Sequence, residues 1–565
     1  RMERFECSGW LNIAVTEQST TIDIKIKHIH CHPAYLDISL PDHWKVYIEE
    51  NFRKQTPGQV RKAHFSRQAR LDFRSKSVYY YWHCVSRHAW KLAEDPVDSA
   101  EEFICQKGKE HNVGLLNVEA VPGVRVLAFQ VTDFIKEWAR NTQELAMDST
   151  FGTNGANFEL FSAVGGAAGS GIPLAFCYIQ TSNEAAPGAK EAVLTSFLYK
   201  LKKLGVNPEY TLTDKDWSEI NAMHKVWPLA KHQLCFWHAL RALKQRLSKN
   251  KEVPSLYNVE AARREFTYIK TSFVPVMQQN PINPSIPTKS PSYVFCPAPH
   301  RISILRLFAK HASQHTLLPK RHGQPRSAAD IRRDAVFEMY RHCERNRLCE
   351  VWAYLWNNWY SHDKWQIWAR SANPRSIPCH RTTMIVEALW RNLKRLVLHM
   401  FNRPSLDLAN FMIITKTIPN YRSTLDTLLT FRGGGRPKSL TQMQKAFKAS
   451  WERLQSSPIK GKYITDITQW TCDCGAQKYH AYLLCKHLVQ AVGPVAPEWW
   501  LSATRYHIPP FYTLDASAKK PEQQRNYDWL ARMGMEIGDS DDEVEGALQN
   551  SSPVSHHQSY SILVI

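Results

Sequence analysis

The stretch that most limits how this chain can fold lies between about residues 120 and 240, where short apolar runs alternate with turn residues and then with helical periodicity. ELAMD, FELFSAVGG and GIPLAFCYIQ read as strands set off by Gly152, Asn154, Gly155 and Gly171. A helix follows, with Ala192, Leu194, Phe197, Leu198, Leu201 and Leu204 at helical intervals and Gly205 placed to end it. Strand EYTLTD, helix SEINAMHKVW, strand HQLCF and a long helix from Trp237 complete an α/β pattern.

Two of these runs end in acids, Asp148 in ELAMDSTFGTN and Asp214 in EYTLTDKDW, and a third acid, Glu387 in RTTMIVEALWRNLKR, lies in a stretch with helical spacing. A fold that brings strand ends and helix together would gather three carboxylates. Such a cluster suits Mg²⁺ or Mn²⁺, which prefer hard oxygen ligands. It also suits phosphoryl transfer by two metal ions held ~3.5–4 Å apart. Singly, each acid has an ordinary reading: an Asp before Ser and Thr commonly caps a turn, Asp214 has a rival in Asp216, and Glu387 can be a solvated helix acid.

Three meandering strands, then helix, strand, helix and strand, match the topology of the ribonuclease H-like fold, whose first and fourth strands are neighbours. AMDSTFGTN, TLTDKDW, LCFWHALRALK and MIVEALWRNLK resemble the transposase domain of Mutator-like elements (MULE), from about 140 to 250 and again near 380. The resemblance implies a DDE catalytic triad of Asp148, Asp214 and Glu387, with Cys235 and His238 as the family's Cys-x-x-His pair. With no second pair nearby, Cys235 and His238 suit a structural or substrate-positioning role better than zinc.

The most specific motif lies downstream. In WTCDCGAQKYHAYLLCKHLVQA, Cys472-x-Cys474 is followed after ten residues by Cys485-x-His487. Three thiolates and an imidazole make a closed tetrahedral Zn²⁺ site of the structural kind. The spacing resembles the SWIM-type zinc finger, a module associated with both DNA and protein binding. Near the N-terminus, TIDIKIKH alternates Ile22, Ile24 and Ile26 with charged residues, the period of a half-buried strand. Cys7, His30 and His32 would supply three zinc ligands of a partial WRKY-like module, the fourth falling upstream of Arg1.

Lys plus Arg outnumber Asp plus Glu 72 to 52, a net charge of +20 that suits a polyanionic partner. The thirteen cysteines are spread unevenly, with one tight cluster near the C-terminus and no regular framework, which points to a reducing compartment and metal-binding thiols. No apolar run is long enough to span a membrane.

The expected architecture is thus α/β: a ribonuclease H-like core interrupted by a helical insertion and flanked by small zinc-binding modules. Its parts are a partial WRKY-like module at 1–36, a basic helical DNA-binding region at 37–119, and the first part of the core at 120–250. A helical insertion at 251–375 follows, in which Trp352, Trp356 and Trp359 fall on one helical stripe, read as core in preference to a base-stacking surface. Within it, the proline-interrupted stretch 274–300 reads as extended loop. The last part of the core occupies 376–430, where Arg391, Lys394 and Arg395 are placed to contact DNA. A linker at 431–459, the SWIM-type finger at 460–495 and an acidic tail at 516–565 complete the chain. The expected function is metal-dependent cleavage and strand transfer of DNA at element ends, in the nucleus, by a homo-oligomer. The alternatives are a non-catalytic DNA-binding transcriptional regulator derived from such a transposase, and an RNA-directed nuclease on the same fold.

Overall fold

The structure is a computed structural model that describes residues 9–15, 22–27, 40–65, 73, 75–167, 169–251, 256–279, 293–319, 326–399, 401, 403–429 and 440–514. The chain forms two compact units, Arg1–His88 and Ala89–Ile565.

In the first unit, β1 (Trp10–Val15) pairs antiparallel with β2 (Ile22–Lys27), setting Leu11 opposite Ile26 and Ile13 opposite Ile24. The expected half-burial of this strand does not occur: every residue of β2 is exposed, Ile24 by 58%. Among the described residues, no further strand pairs with this two-stranded ribbon. Cys7, His30 and His32 lie outside the described residues. Three helices follow, α1 (Asp42–Asn51), α2 (Pro57–Phe65) and α3 (Ser75–Trp90). Thr56 and Gln59 cap α2 reciprocally, side chain to amide, ahead of Pro57 at its first position.

The second unit opens with α4 (Pro96–His111), capped by the Asp95 carboxylate on the Val97 amide at 2.8 Å. Then come β3 (Val113–Leu115), β4 (Val124–Val131), α5 (Thr132–Trp138), β5 (Glu144–Thr150), β6 (Glu159–Ala167) and β7 (Ser170–Thr181). They are followed by α6 (Ala189–Lys203), β8 (Tyr210–Thr213), α7 (Trp217–Val226), β9 (Lys231–Leu234) and α8 (Phe236–Ser248). The seven strands form one mixed sheet in the order β3-β4-β7-β6-β5-β8-β9. β5, β6 and β7 meander antiparallel, whereas β5, β8 and β9 run parallel. β3 and β4 were not foreseen; β3 falls within the stretch expected to be basic and helical, and the two strands extend the sheet beyond β7. Ile172 and Leu174–Ile179 of β7 are all buried, as expected of a central strand whose near-continuous apolar run is covered on both faces.

The insertion is helical: α9 (Val259–Glu265), α10 (Val276–Gln279), α11 (Ala298–Ser313), α12 (Ala328–Arg345), α13 (Cys349–Leu355) and α14 (His362–Trp368). Trp352, Trp356 and Trp359 are buried in its core, so the stripe is packing and offers no face to a base. The proline-rich stretch is less extended than expected. Val276–Gln279 forms a helical turn after Pro275, and α11 starts directly after Pro297 with Pro299 in its first turn, where a missing N–H costs nothing. Residues 280–292 lie outside the description.

The chain returns to the sheet with α15 (Met384–Asn392), then α16 (Leu406–Met412) and α17 (Ile418–Leu429). α18 (Gln442–Gln455), β10 (Thr465–Asp466), β11 (Thr471–Cys472), α19 (Lys486–Val492) and α20 (Trp499–Ser502) follow. The stretch 431–459, expected to be a linker, contains α18, whose Phe447 and Trp451 are buried with Trp470, Leu488 and Trp499 around the cysteine-rich segment. The acidic tail lies outside the described residues, and among those described no helix is long and apolar enough to cross a membrane.

Candidate active site

β5 and β8 pair parallel with Ala146 opposite Leu212. Two residues further along each strand stand Asp148 and Asp214, so the two carboxylates leave the same edge of the sheet side by side. The third acid arrives from α15, which packs across β5, β6 and β7. That approach is close: a Cβ on Gly171 would meet Val164 Cγ1 at 2.6 Å and Ile385 Cβ at 2.9 Å. Glycine at 171 thus lets the helix carrying Glu387 settle onto the sheet.

The three acids act on one another. Burial pushes the Asp148 carboxyl up to about 7, and the charges of Asp214 and then Glu387 add to the rise. His238 and the Ser149 amide, which donates to Asp148 Oδ1 at 2.8 Å, oppose it. A divalent cation would relieve the crowding of charge around Asp148, so the donor set fits Mg²⁺ or Mn²⁺.

Asp216 does not compete with Asp214 for this role. It caps α7 through Oδ1 on the Ser218 amide at 2.8 Å and pairs through Oδ2 with Lys190 Nζ at 2.9 Å. Lys190 also reaches Glu159 at 3.0 Å. Asp214 Oδ1 accepts the Asp216 amide at 2.8 Å.

Cys235 and His238 lie beside Glu387. Cys235 is the N-cap of α8 and His238 sits in its first turn, with the ligand atoms of Cys235, His238 and Glu387 all within 4.8 Å of one another. His238 Nε2 is 3.9 Å from Glu387 Oε1, and its buried Nδ1 has no hydrogen-bond partner among the described residues. Burial pushes the Cys235 thiol up to about 11, although Thr383 hydrogen-bonds it through both amide and hydroxyl. Thr383 also stands at the N-terminal end of α15, where its carbonyl accepts the Glu387 amide at 3.0 Å and its hydroxyl donates to Glu387 Oε1 at 3.4 Å. The spacing of Cys235 and His238 alone could not reveal that their partner is the third acid, 149 residues on from His238.

Two more groups face the site. Glu219, fully buried on α7, is pushed well above the usual carboxyl range by burial and then by Asp148 and Asp214, and its Oε2 has no partner. Nothing in its sequence setting marked it. Lys394, half-buried in the π-helical turn Leu393–Val397 that continues α15, is near enough to feel the Asp148 charge. Arg391 and Arg395 are exposed, one turn apart.

Farther along the chain, Cys472, Cys474, Cys485 and His487 bring their ligand atoms within 4.8 Å of one another. β11 ends at Cys472 and α19 begins after Cys485, its N-cap, whose sulfur accepts the Leu488 amide at 3.5 Å; the Ala476 amide approaches Cys474 Sγ at 3.4 Å. Hydrogen bonds from Cys474 and Cys485 hold the Cys472 thiol far below its ordinary range. His487 is buried, yet neither ring nitrogen has a hydrogen-bond partner among the described residues. Buried polar atoms without partners are costly, and a metal ion at the centre of the three sulfurs would satisfy this one.

The chain is 21% identical over 544 residues to the mating-type protein ALPHA3 of Kluyveromyces lactis (strain ATCC 8585 / CBS 2359 / DSM 70799 / NBRC 1267 / NRRL Y-1140 / WM37). The match covers 86% of this chain but 57% of that relative, so the chain spans a little over half its length. Residues 144–242, from the first residue of β5 into α8 and so including Asp148, Asp214, Cys235 and His238, match the model of the MULE transposase domain.

Proposed function

We propose that this chain is a DNA transposase of the Mutator-like type, with a ribonuclease H-like core and a DDE triad of Asp148, Asp214 and Glu387. The observation that carries the reading is the parallel pairing of β5 with β8, which sets Asp148 beside Asp214 under the helix that holds Glu387. Mg²⁺ or Mn²⁺ bound by these carboxylates would activate a water or 3′ hydroxyl and stabilise the leaving oxygen. The chain's own residues supply the setting. Thr383 and His238 orient Glu387, Lys394 offers a positive charge beside Asp148, and the exposed Arg391 and Arg395 suit DNA phosphates.

Cys472, Cys474, Cys485 and His487 would form a closed structural Zn²⁺ site of the SWIM type. Cys7, His30 and His32 would contribute to a second, N-terminal one. The protein would work on DNA in the nucleus, as a homo-oligomer that pairs two element ends. The test is cleavage of labelled duplex DNA with Mg²⁺ or Mn²⁺, comparing the protein with Asp214→Ala. Metal-dependent cutting that disappears in the variant, with DNA binding intact, supports the enzyme.

A second reading, a non-catalytic DNA-binding regulator on the same scaffold, draws support from the relative's designation as a mating-type protein. Equal DNA binding by both proteins, with cutting by neither, would favour it.

A further inference from the structure

We infer that Glu144 is a positioning residue for the acid cluster, clasping the segments before α15 and after the cysteine-rich module onto the strand that bears Asp148. The inference rests on the reading of Asp148 and Glu387 as metal ligands.

Glu144 is the first residue of β5, on the same face as Asp148 four residues on, and is fully buried. Its carboxylate has four donors from two distant parts of the chain. Oε1 accepts the Cys379 amide and, at 2.8 Å, His507 Nε2. Oε2 accepts the His380 amide at 2.9 Å and His380 Nδ1. A carboxylate has acceptors only, and both oxygens are occupied by converging N–H groups. Burial alone would push Glu144 up; the two imidazoles reverse this and hold it far below the usual carboxyl range.

The segments joined in this way are those that matter to the site. His380 lies seven residues before Glu387, and its ring is so close to β6 that a Cβ on Gly166 would meet His380 Cε1 at 2.9 Å. Arg505 donates to the carbonyls of Ile377, Pro378 and Cys379 at 3.0–3.3 Å, and the Ile377 amide donates to the His507 carbonyl at 2.8 Å. The His507 ring stacks on Tyr210, the residue opposite Glu144 on β8, four positions before Asp214. The loop between Cys474 and Cys485 joins the same assembly. Its Lys478 and Tyr479 carbonyls accept Arg370 at 3.0 Å and Arg381 at 2.8 Å. The segment following the cysteine-rich module is therefore part of the frame that sets the distance between the strands of the first two acids and the helix of the third.

Cys379 Sγ, His507 Nε2 and a Glu144 oxygen also lie within 4.8 Å of one another, the spacing of a metal group. The clasp is favoured because both Glu144 oxygens already accept backbone amides.

The test uses the full chain with its zinc retained, and Mn²⁺ alone as probe. Mn²⁺ binding, read from loss of the free-ion EPR signal, is measured for the parent, Asp148→Asn, Glu144→Gln, His507→Gln and the double variant Glu144→Gln/His507→Gln. Glu144→Gln should weaken Mn²⁺ binding about 10- to 100-fold, the usual effect of removing an orienting partner of a metal ligand. His507→Gln, which keeps one N–H donor, should weaken it less, and the double variant should fall no further than Glu144→Gln. Parent-like Mn²⁺ binding by folded Glu144→Gln, or additive losses in the double variant, overturns the clasp. If Glu144→Gln does not fold, His507→Gln decides alone: parent-like binding overturns the clasp. Loss of one zinc equivalent in Cys379→Ser would overturn it in favour of a metal site. If the parent cuts no DNA but Mn²⁺ binding needs Asp148 and is weakened by Glu144→Gln, the clasp stands and the transposase reading fails. If the parent cuts DNA and Glu144→Gln cuts it with unchanged Mn²⁺ dependence, the reading stands and the clasp fails.

Discussion

Asp148 on β5 and Asp214 just past the end of the neighbouring parallel strand β8 each stand two residues beyond the paired couple Ala146 and Leu212. Parallel neighbours present their C-terminal ends at one edge of a sheet, so acids in these positions converge without any special loop between them. Burial first, and then the charge of Asp214, raise the Asp148 carboxyl to about 7.

That rise gives a pH dependence with a definite sign. The folded pKa lies above the unfolded value near 3.8, so the native state binds more protons between about pH 4 and 7. Over that window the metal-free protein loses stability as pH rises. Asp148→Asn, which cannot ionise, should remove this slope, at about 1.4 kcal/mol for each pK unit relieved. Thermal melts from pH 4 to 8 with the zinc retained and no Mg²⁺ or Mn²⁺ added check it. Mn²⁺ affinity of the parent should increase with pH up to about 7, because binding must expel the proton.

Asp214 and Asp216 should separate cleanly. Asp214→Asn should abolish tight Mn²⁺ binding while leaving the melt close to that of the parent. Asp216→Ala removes a helix cap and the Lys190 pair, so it should cost about 1–2 kcal/mol of stability and leave Mn²⁺ binding near normal. Denaturant melts and Mn²⁺ titrations on the same samples distinguish them.

Gly171→Ala tests whether the close approach of α15 sets the site. The added methyl has no room between Val164 and Ile385, and overpacking of this kind costs about 1–3 kcal/mol. Because Glu387 lies two residues beyond Ile385, Mn²⁺ binding should weaken together with stability. Gly188→Ala offers a contrast: a Cβ there meets nothing within 4 Å, although its φ of 87° strains any side chain. It should cost stability without changing Mn²⁺ affinity.

The cysteine-rich module should depend on its metal. Trp451, Trp470 and Trp499 pack around Cys472 and Cys485, so chelation, or Cys485→Ala, should red-shift tryptophan emission and remove one zinc equivalent. Structural zinc sites contribute directly to folding energy. An unchanged spectrum after complete zinc removal would exclude a structural ion here.

Much of this organisation was legible in the residues themselves. Local periodicity and turn chemistry pointed to strands near Asp148 and Asp214 and to a helix at Glu387; Asp148 lies within β5, two residues before its end, Asp214 directly follows β8, and Glu387 is on α15. Local rules were less reliable where burial depends on a partner. The alternating isoleucines of β2 predicted a buried face that the ribbon leaves exposed, and 431–459 read as linker although α18 buries Phe447 and Trp451.

The sequence by itself determined which residues can carry the chemistry, because strand ends, helical spacing and short ligand pairs are set by neighbours within a few positions. Only the tertiary structure decided how they combine. It separated Asp214 from Asp216 by giving the latter to Lys190, set Cys235 and His238 beside Glu387, brought Glu219 beneath the site, and joined Glu144 to His507 across 363 residues. The physical reason is range: a hydrogen bond or a charge acts over a few ångströms of space, and nothing local in sequence records which distant segments the fold brings that near.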